Sequence, residues 1–125
     1  MEKRLRQFDI VTVNLDPTSG SEIRGTRPCV ILQTNAGMAG KTVLVAPLTS
    51  QDAHKATPYH VPVKKSAANG LAADSKIKCE QVRSVAVERF GKRLGTVETA
   101  YFPAIFSALD ILFDRRQDFA EGWWR

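Results

Sequence analysis

Between residues 20 and 28 the chain reads Gly20, Ser21, Glu22, Ile23, Arg24, Gly25, Thr26, Arg27, Pro28. One carboxylate and two guanidiniums therefore sit beside two glycines. Glycine lets the backbone take a positive φ or come close to a ligand. A guanidinium presents paired donors that match phosphate oxygens, and a carboxylate can accept a proton from a reacting group. The same residue types also make an ordinary solvated loop, and on these residues alone both readings stand. His54 and His60 are the only histidines. An imidazole suits acid–base work near neutrality, although a strand histidine such as His60 is more simply a barrel-surface side chain. No Asp/Glu pair has a two-metal spacing and no cluster of metal-ligand type occurs, so neither metal nor other cofactor is expected.

Six short strand-like runs and one helix must position these groups. Phe8–Leu15 is rich in β-branched residues and stops at Asp16-Pro17, a turn signal. Residues 16–26 are polar and glycine-containing, which predicts a long functional loop. Pro28–Thr34 reads as a strand buried on both faces, and Asn35–Gly40 as the hairpin leading to a third strand, Lys41–Leu48. Tyr59–Val63 is a fourth, which Pro62 confines to an edge or a strand end. Ser75–Val85 alternates as one half-exposed strand, and Arg93–Val97 is a short sixth. Phe102, Ile105, Phe106, Leu109, Leu112 and Phe113 form one apolar stripe of a helix, with Pro103 in its first turn. The expected fold is mainly β: a small, partly open antiparallel barrel with a C-terminal α-helix packed on it.

The chain has 125 residues, enough for a single domain over 1–125, and 43% hydrophobic content gives it a core without disulfide staples. Cys29 and Cys79 lie in apolar runs without CxxC spacing, which predicts buried, reduced thiols of a cytoplasmic protein. No apolar stretch is long enough to span a membrane, and the charged start, MEKRLRQFD, does not read as a signal peptide. Lys and Arg number 18 against 13 Asp and Glu, a net charge of +5. That balance fits a polyanionic partner, nucleic acid or an acidic protein, and fits equally a merely basic soluble protein.

Four ordered blocks then narrow the reading. The stretch from Asp9 to Pro28, containing Asp16-Pro17-Thr18-Ser19-Gly20-Ser21-Glu22 and Gly25-Thr26-Arg27-Pro28, resembles the signature of the MazF/PemK toxins. Ala46-Pro47-Leu48-Thr49-Ser50-Gln51 looks like that family's second motif. Cys79-Glu80-Gln81-Val82-Arg83-Ser84 looks like its third, and Arg93-Leu94-Gly95-Thr96-Val97 fits the segment before its helix. Together the blocks cover about residues 6 to 113. Two departures stand out: Phe8 replaces the glycine before the first strand's Asp, and Asp114–Arg125, with Trp123 and Trp124, runs past the usual family end. These tryptophans suit a cap on the core or a stacking platform for an unpaired base.

The resemblance implies a fold of the CcdB/MazF plasmid-maintenance-toxin type. It implies a sequence-selective, metal-independent endoribonuclease that cuts single-stranded mRNA. The 2′-hydroxyl attacks phosphorus, leaving 2′,3′-cyclic phosphate and 5′-hydroxyl ends. By this resemblance Arg27 stabilises the phosphorane, Thr49 orients the phosphate or the 2′-hydroxyl, and Glu22 or Glu80 is the base. Where the PemK branch has an arginine two residues before that second acid, this chain has Lys78. Ser21, Arg24, Ser50, Gln51, Lys78, Gln81 and Arg83 would contact RNA. Lys3, Arg4, Arg6, Lys64, Lys65, Lys92 and Arg93 would widen the cationic footprint. The resemblance also implies a homodimer and an acidic antitoxin as partner. Within the same fold the rival is a CcdB-like gyrase poison, with the Gly122-Trp123-Trp124 run in the wrong order for it. A non-catalytic RNA-binding barrel is the third alternative.

Overall fold

Alternating β-branched residues make the strands. The computed structural model describes residues 5–35, 40–55 and 57–114. Strands β1 (Asp9–Asn14), β2 (Thr26–Ile31), β3 (Thr42–Thr49), β4 (His60–Val63), β5 (Ser75–Lys78), β6 (Arg83–Ala86) and β7 (Phe90–Thr96) precede helix α1 (Phe102–Phe113). Lys3, Arg4, residues 36–39 of the expected hairpin and the extension with Trp123 and Trp124 lie outside the described residues. Every pairing is antiparallel, in the order β4-β5-β3-β2-β1-β7, and β6 also pairs with β3. The sheet curls without closing, the partly open barrel expected from the sequence. β4, the Pro62 strand, is at an edge, where a residue without N–H does least harm.

The sheet buries both of its faces, which is why its central strands read as nearly continuous apolar runs. One face carries Ile10, Val30, Ala46, Leu48, Val61, Val63 and Ile77, covered by Ile105 and Ala108 of α1. The other carries Val11, Val13, Cys29, Ile31, Val43, Val45 and Val85, with Leu15, Ile23 and Phe90 against them. Each aliphatic side chain so buried contributes about 1.5–3 kcal/mol. α1 has Pro103 in its first turn and ends at Asp114, whose left-handed backbone lets its N–H reach the Asp110 carbonyl at 2.8 Å. Its stripe is only partly covered, since Phe106 and Phe113 remain exposed, and Ile111 beside it is exposed too. No helix among the described residues is long and apolar enough to cross a membrane.

Two expectations need correction. The segment Ser75–Val85 is not one strand: β5 stops at Lys78, Cys79–Gln81 makes a 3-10 turn, and β6 starts at Arg83. Leu48 pairs with Ile77 and Val45 with Arg83. Leu48 to Val45 is three steps, whereas Ile77 to Arg83 is six, so three surplus residues must leave the ladder. The alternation looked continuous because Cys79 is still buried within the bulge. The last strand is also longer than Arg93–Val97, beginning at Phe90. Its apolar alternation is lost because Gly95 alone of its seven residues is buried.

Phe8 takes a backbone conformation that glycine adopts freely. Its φ is 74°, a left-handed value that costs a residue with Cβ roughly 1–2 kcal/mol. The ring repays this by packing: it is 6% exposed, stacks on Phe102 at 3.8 Å and meets Phe106 edge-on at 5.7 Å. The next residue, Asp9, is a buried carboxylate held by Arg6 N–H (3.0 Å), the Thr96 hydroxyl (2.9 Å) and Arg93 Nε (3.3 Å). Arg93 is thereby a structural partner and not a free member of the cationic footprint.

Phe8→Ala should destabilise the protein by about 3–5 kcal/mol, as core phenylalanine truncations do. Phe8→Gly should lose about 1 kcal/mol less, because only it removes the Cβ clash at this φ. Urea unfolding of the two variants measures the difference, and a glycine variant no more stable than the alanine one would contradict a strained Phe8.

Candidate active site

The surplus residues of the bulge and the loop after β1 face one another. Between them lies an open-sided cleft of about 580 Å³, lined by Leu15, Pro17, Ser21, Glu22, Ile23, Pro47, Glu80, Gln81, Val82 and Arg83. Gln81 ties its two walls together. Its Oε1 accepts the Ile23 N–H at 3.0 Å and its Nε2 donates to the Ser21 carbonyl at 3.3 Å. Two arginines hold the loop's root: Arg83 Nη1 donates to Leu15 O at 3.2 Å, and Arg89 Nη1 to Asn14 O at 3.1 Å and to Asp16 O. Asp16 Oδ1 accepts the N–H of Gly25, whose φ of 82° only glycine takes freely. Polar residues thus pin the loop from both ends.

Strand alternation gathers the remaining candidates on the face that carries the cleft. Val30, Ala46, Leu48, Val61 and Ile77 point to the helix-covered core. Successive side chains in a strand point oppositely, so Arg27, Thr49, His60, Lys76 and Lys78 project to the other side, beside Pro47. The pairing Cys29↔Pro47 aligns β2 with β3, Thr49↔Lys76 aligns β3 with β5, and His60↔Lys78 aligns β5 with β4. Arg27 and Arg83 converge electrostatically on one buried atom, the Cys29 sulfur. Burial pushes that thiol up to about 12, with Arg83 and then Arg27 opposing. Cys79 is likewise raised to about 12, by burial first and Glu80 second. Both are buried free thiols, as expected.

The structure separates the two candidate bases. Glu22 is exposed, and its Oε1 accepts the Ser19 N–H at 2.7 Å, bracing its own loop. Glu80 lies on the cleft wall between His60 Nε2, 3.1 Å from Oε1 and 3.2 Å from Oε2, and Lys78 Nζ, 3.6 Å from Oε2. His60 is therefore no barrel-surface side chain: its side chain is 10% exposed. Thr49 is the last residue of β3 and does not begin the loop. Its Oγ1 accepts the Gln51 N–H at 3.2 Å, which leaves its hydroxyl proton available to a ligand. Arg27 is half-buried, and its Nε donates to Arg24 O at 3.0 Å. Ser21, Glu22, Glu80, Gln81 and Arg83 meet at the cleft. Arg24, Ser50 and Gln51 are exposed and do not line it; Arg24 Nη2 reaches Gly20 O at 3.4 Å.

Lys76 was overlooked. It is 6% exposed and lies opposite Thr49. The spacing of Lys76 and Lys78 was the available signal, since every second residue of a strand shares a face. Among the described residues no three His, Cys, Asp or Glu side chains are grouped as metal ligands would be.

Residues 6–113 match the model of the PemK-like, MazF-like toxins of type II toxin–antitoxin systems. The chain belongs to the PemK/MazF toxin family. It is 34% identical over 116 residues to the endoribonuclease MazF9 of Mycobacterium tuberculosis, covering 88% of this chain and 97% of that one. It is 33% identical over 108 residues to the endoribonuclease MazF of Staphylococcus saprophyticus, covering 86% and 89%. Among solved structures it is similar to the Mycobacterium tuberculosis toxin MazF-mt6 (27% identity, TM-score 0.71, covering 85% and 96%). MazF of Deinococcus radiodurans, at 19% identity, shares the fold (TM-score 0.76, covering 90% and 99%). In this member of the PemK/MazF family, the signature blocks supply the cleft's two walls and the strand carrying Thr49.

Gln81→Ala removes both bonds between bulge and loop, each worth about 1 kcal/mol net. The Ile23 amide should then exchange with solvent hydrogen about tenfold faster or more, while amides of β2 and β3 exchange as before. Unchanged protection at Ile23 would show that the loop is held elsewhere.

Proposed function

We propose that this PemK/MazF family toxin is a metal-independent endoribonuclease acting on single-stranded mRNA at the cleft. The observation that carries the reading is the placement of Arg27, Thr49 and Lys78 on one sheet face beside the open-sided cleft that Glu80 lines. Its relatives' names, endoribonucleases all, agree.

In this reading the 2′-hydroxyl of one ribose attacks the adjacent phosphorus. Glu80 takes the proton that the hydroxyl loses; it stands 3.6 Å from the Lys78 ammonium, a proton donor for the leaving oxygen, whereas Glu22 is exposed and braces its own loop. As the O2′–P bond forms, charge accumulates on the non-bridging oxygens, where the permanently charged guanidinium of Arg27 donates to them. Thr49 orients the phosphate through its free hydroxyl proton. The P–O5′ bond then breaks, and the departing oxygen takes a proton from water or the Lys78 ammonium. The products are a 2′,3′-cyclic phosphate and a 5′-hydroxyl. DNA lacks the attacking group and is not a substrate. Ser21, Gln81 and Arg83 contact RNA at the cleft, with Arg24, Ser50 and Gln51 on its approaches.

Two partners complete the reading. A homodimer covers the apolar surface that α1 leaves open at Phe106, Ile111 and Phe113, closed by a two-fold axis. An acidic antitoxin segment, folding as it binds, occupies the cationic face in competition with RNA. An endoribonuclease of similar fold from a Mycobacterial species has been solved in complex with its cognate antitoxin.

Purified protein should cut an RNA oligonucleotide in excess EDTA, leave the matching DNA intact and yield cyclic-phosphate ends. Arg27→Ala should lower that rate by about 100-fold or more, the usual loss for a transition-state charge partner, with an unchanged melting temperature. RNA cleavage only after metal is restored, or near-normal cleavage by the variant, would overturn this mechanism. Light scattering should give a dimer at micromolar concentration. Uncleavable RNA should displace the antitoxin peptide; a peptide bound equally well in its presence would have to sit elsewhere.

A further inference from the structure

His60 is spent on Glu80 in a way that neither surface exposure nor core packing explains. Its Nε2 is 3.1 Å from one carboxylate oxygen of Glu80 and 3.2 Å from the other. Its side chain is 10% exposed, while that of Glu80 is 28% exposed and opens on the cleft. Tyr59 meets the ring edge-on at 5.3 Å, and the backbone is held by the His60 main-chain N–H to Thr57 O at 3.1 Å and by β4, which sets His60 directly opposite Lys78. Nδ1 is buried without a partner, and so is the Thr57 hydroxyl three residues earlier. A carboxylate only accepts, so the ring nitrogen that faces it, Nε2, carries the hydrogen and donates to Glu80.

We infer that His60 is a positioning residue for the reaction: it fixes the Glu80 carboxylate at the lip of the cleft. Glu80 needs such a brace because it stands on the Cys79–Gln81 turn, outside the β ladder, where no cross-strand neighbour limits its rotamers. Lys78 alone is a poor brace. Its contact is longer, at 3.6 Å, and its stem is flexible. A base held within a few tenths of an ångström of the 2′-hydroxyl reacts far faster than one that samples solvent. This role rests on Glu80 being the base, as proposed above.

The test is steady-state cleavage of an RNA oligonucleotide by the full chain and by His60→Phe, His60→Gln, His60→Asn, Glu80→Gln and the His60→Phe/Glu80→Gln pair, with melting temperatures measured for each. His60→Phe keeps the ring's bulk but has no donor, and should lower kcat about 10- to 100-fold with KM within about twofold. Glutamine, whose amide nitrogen reaches where Nε2 lies, should recover most of kcat; asparagine, too short, should not. The pair should be no slower than Glu80→Gln alone. Should His60→Phe fail to fold, the contrast between glutamine and asparagine carries the same decision. Normal kcat in both His60→Phe and His60→Asn, with Glu80→Gln slow, overturns the role of His60. So does a loss confined to KM, or a pair slower than Glu80→Gln by the full His60→Phe factor. Normal cleavage by Glu80→Gln is a different failure, that of Glu80 as base.

Discussion

Strand β3 pairs along one edge with the same stretch of chain twice, and the two pairings are out of step. β5 meets its C-terminal end and β6 its N-terminal half, with three more residues between them than the ladder can hold. A ladder has no room for surplus residues, so Cys79–Gln81 turns out of the sheet. Most of the site follows from that mismatch. Cys79 stays buried as the anchor of the turn, Glu80 is delivered to the cleft wall, and Gln81 is delivered to the loop it must hold. A continuous strand would have kept the alternation but pointed Glu80 and Gln81 to opposite faces.

The loop opposite the bulge shows how a polar segment is given shape without a core of its own. Gln81, Arg83 and Arg89 reach its backbone from other elements, and Asp16 and Glu22 close it from within. Single bonds of this kind contribute about 1 kcal/mol each, so the loop is ordered yet cheap to move. Arg83 and Gln81 thus spend part of their donor capacity on the protein's own backbone.

Burial on both sheet faces gives the same economy to the strands. The helix-covered face holds the larger of the two buried clusters. The opposite face is apolar in its centre, at Cys29, Val43 and Val45, and becomes polar towards Arg27, Thr49 and Lys76. The cleft therefore sits where one core ends, with rigid strands beneath charged side chains. Phe8 belongs to this logic too. Its unfavourable φ is tolerated because its ring closes the gap between β1 and α1.

Local chemistry made much of this legible in the chain itself. β-Branched runs, the Asp16-Pro17 turn, the edge position forced by Pro62 and the 3.6-residue stripe of α1 each act within a few residues. The resulting architecture, an open antiparallel sheet with a terminal helix, was therefore readable, as was the family, from four blocks of spacing. Buried thiols at Cys29 and Cys79 were readable from their apolar neighbours. What the chain could not reveal depends on register between segments far apart in sequence. The break at Cys79 exists only because β3 imposes two pairings. The contact of His60 with Glu80 exists only because β4 lies against β5, and the burial of Lys76 only because Thr49 lies opposite. Local propensity is set by a residue and its neighbours; which side chains finally touch is set by strand pairing across the sheet, and that only the tertiary structure decides.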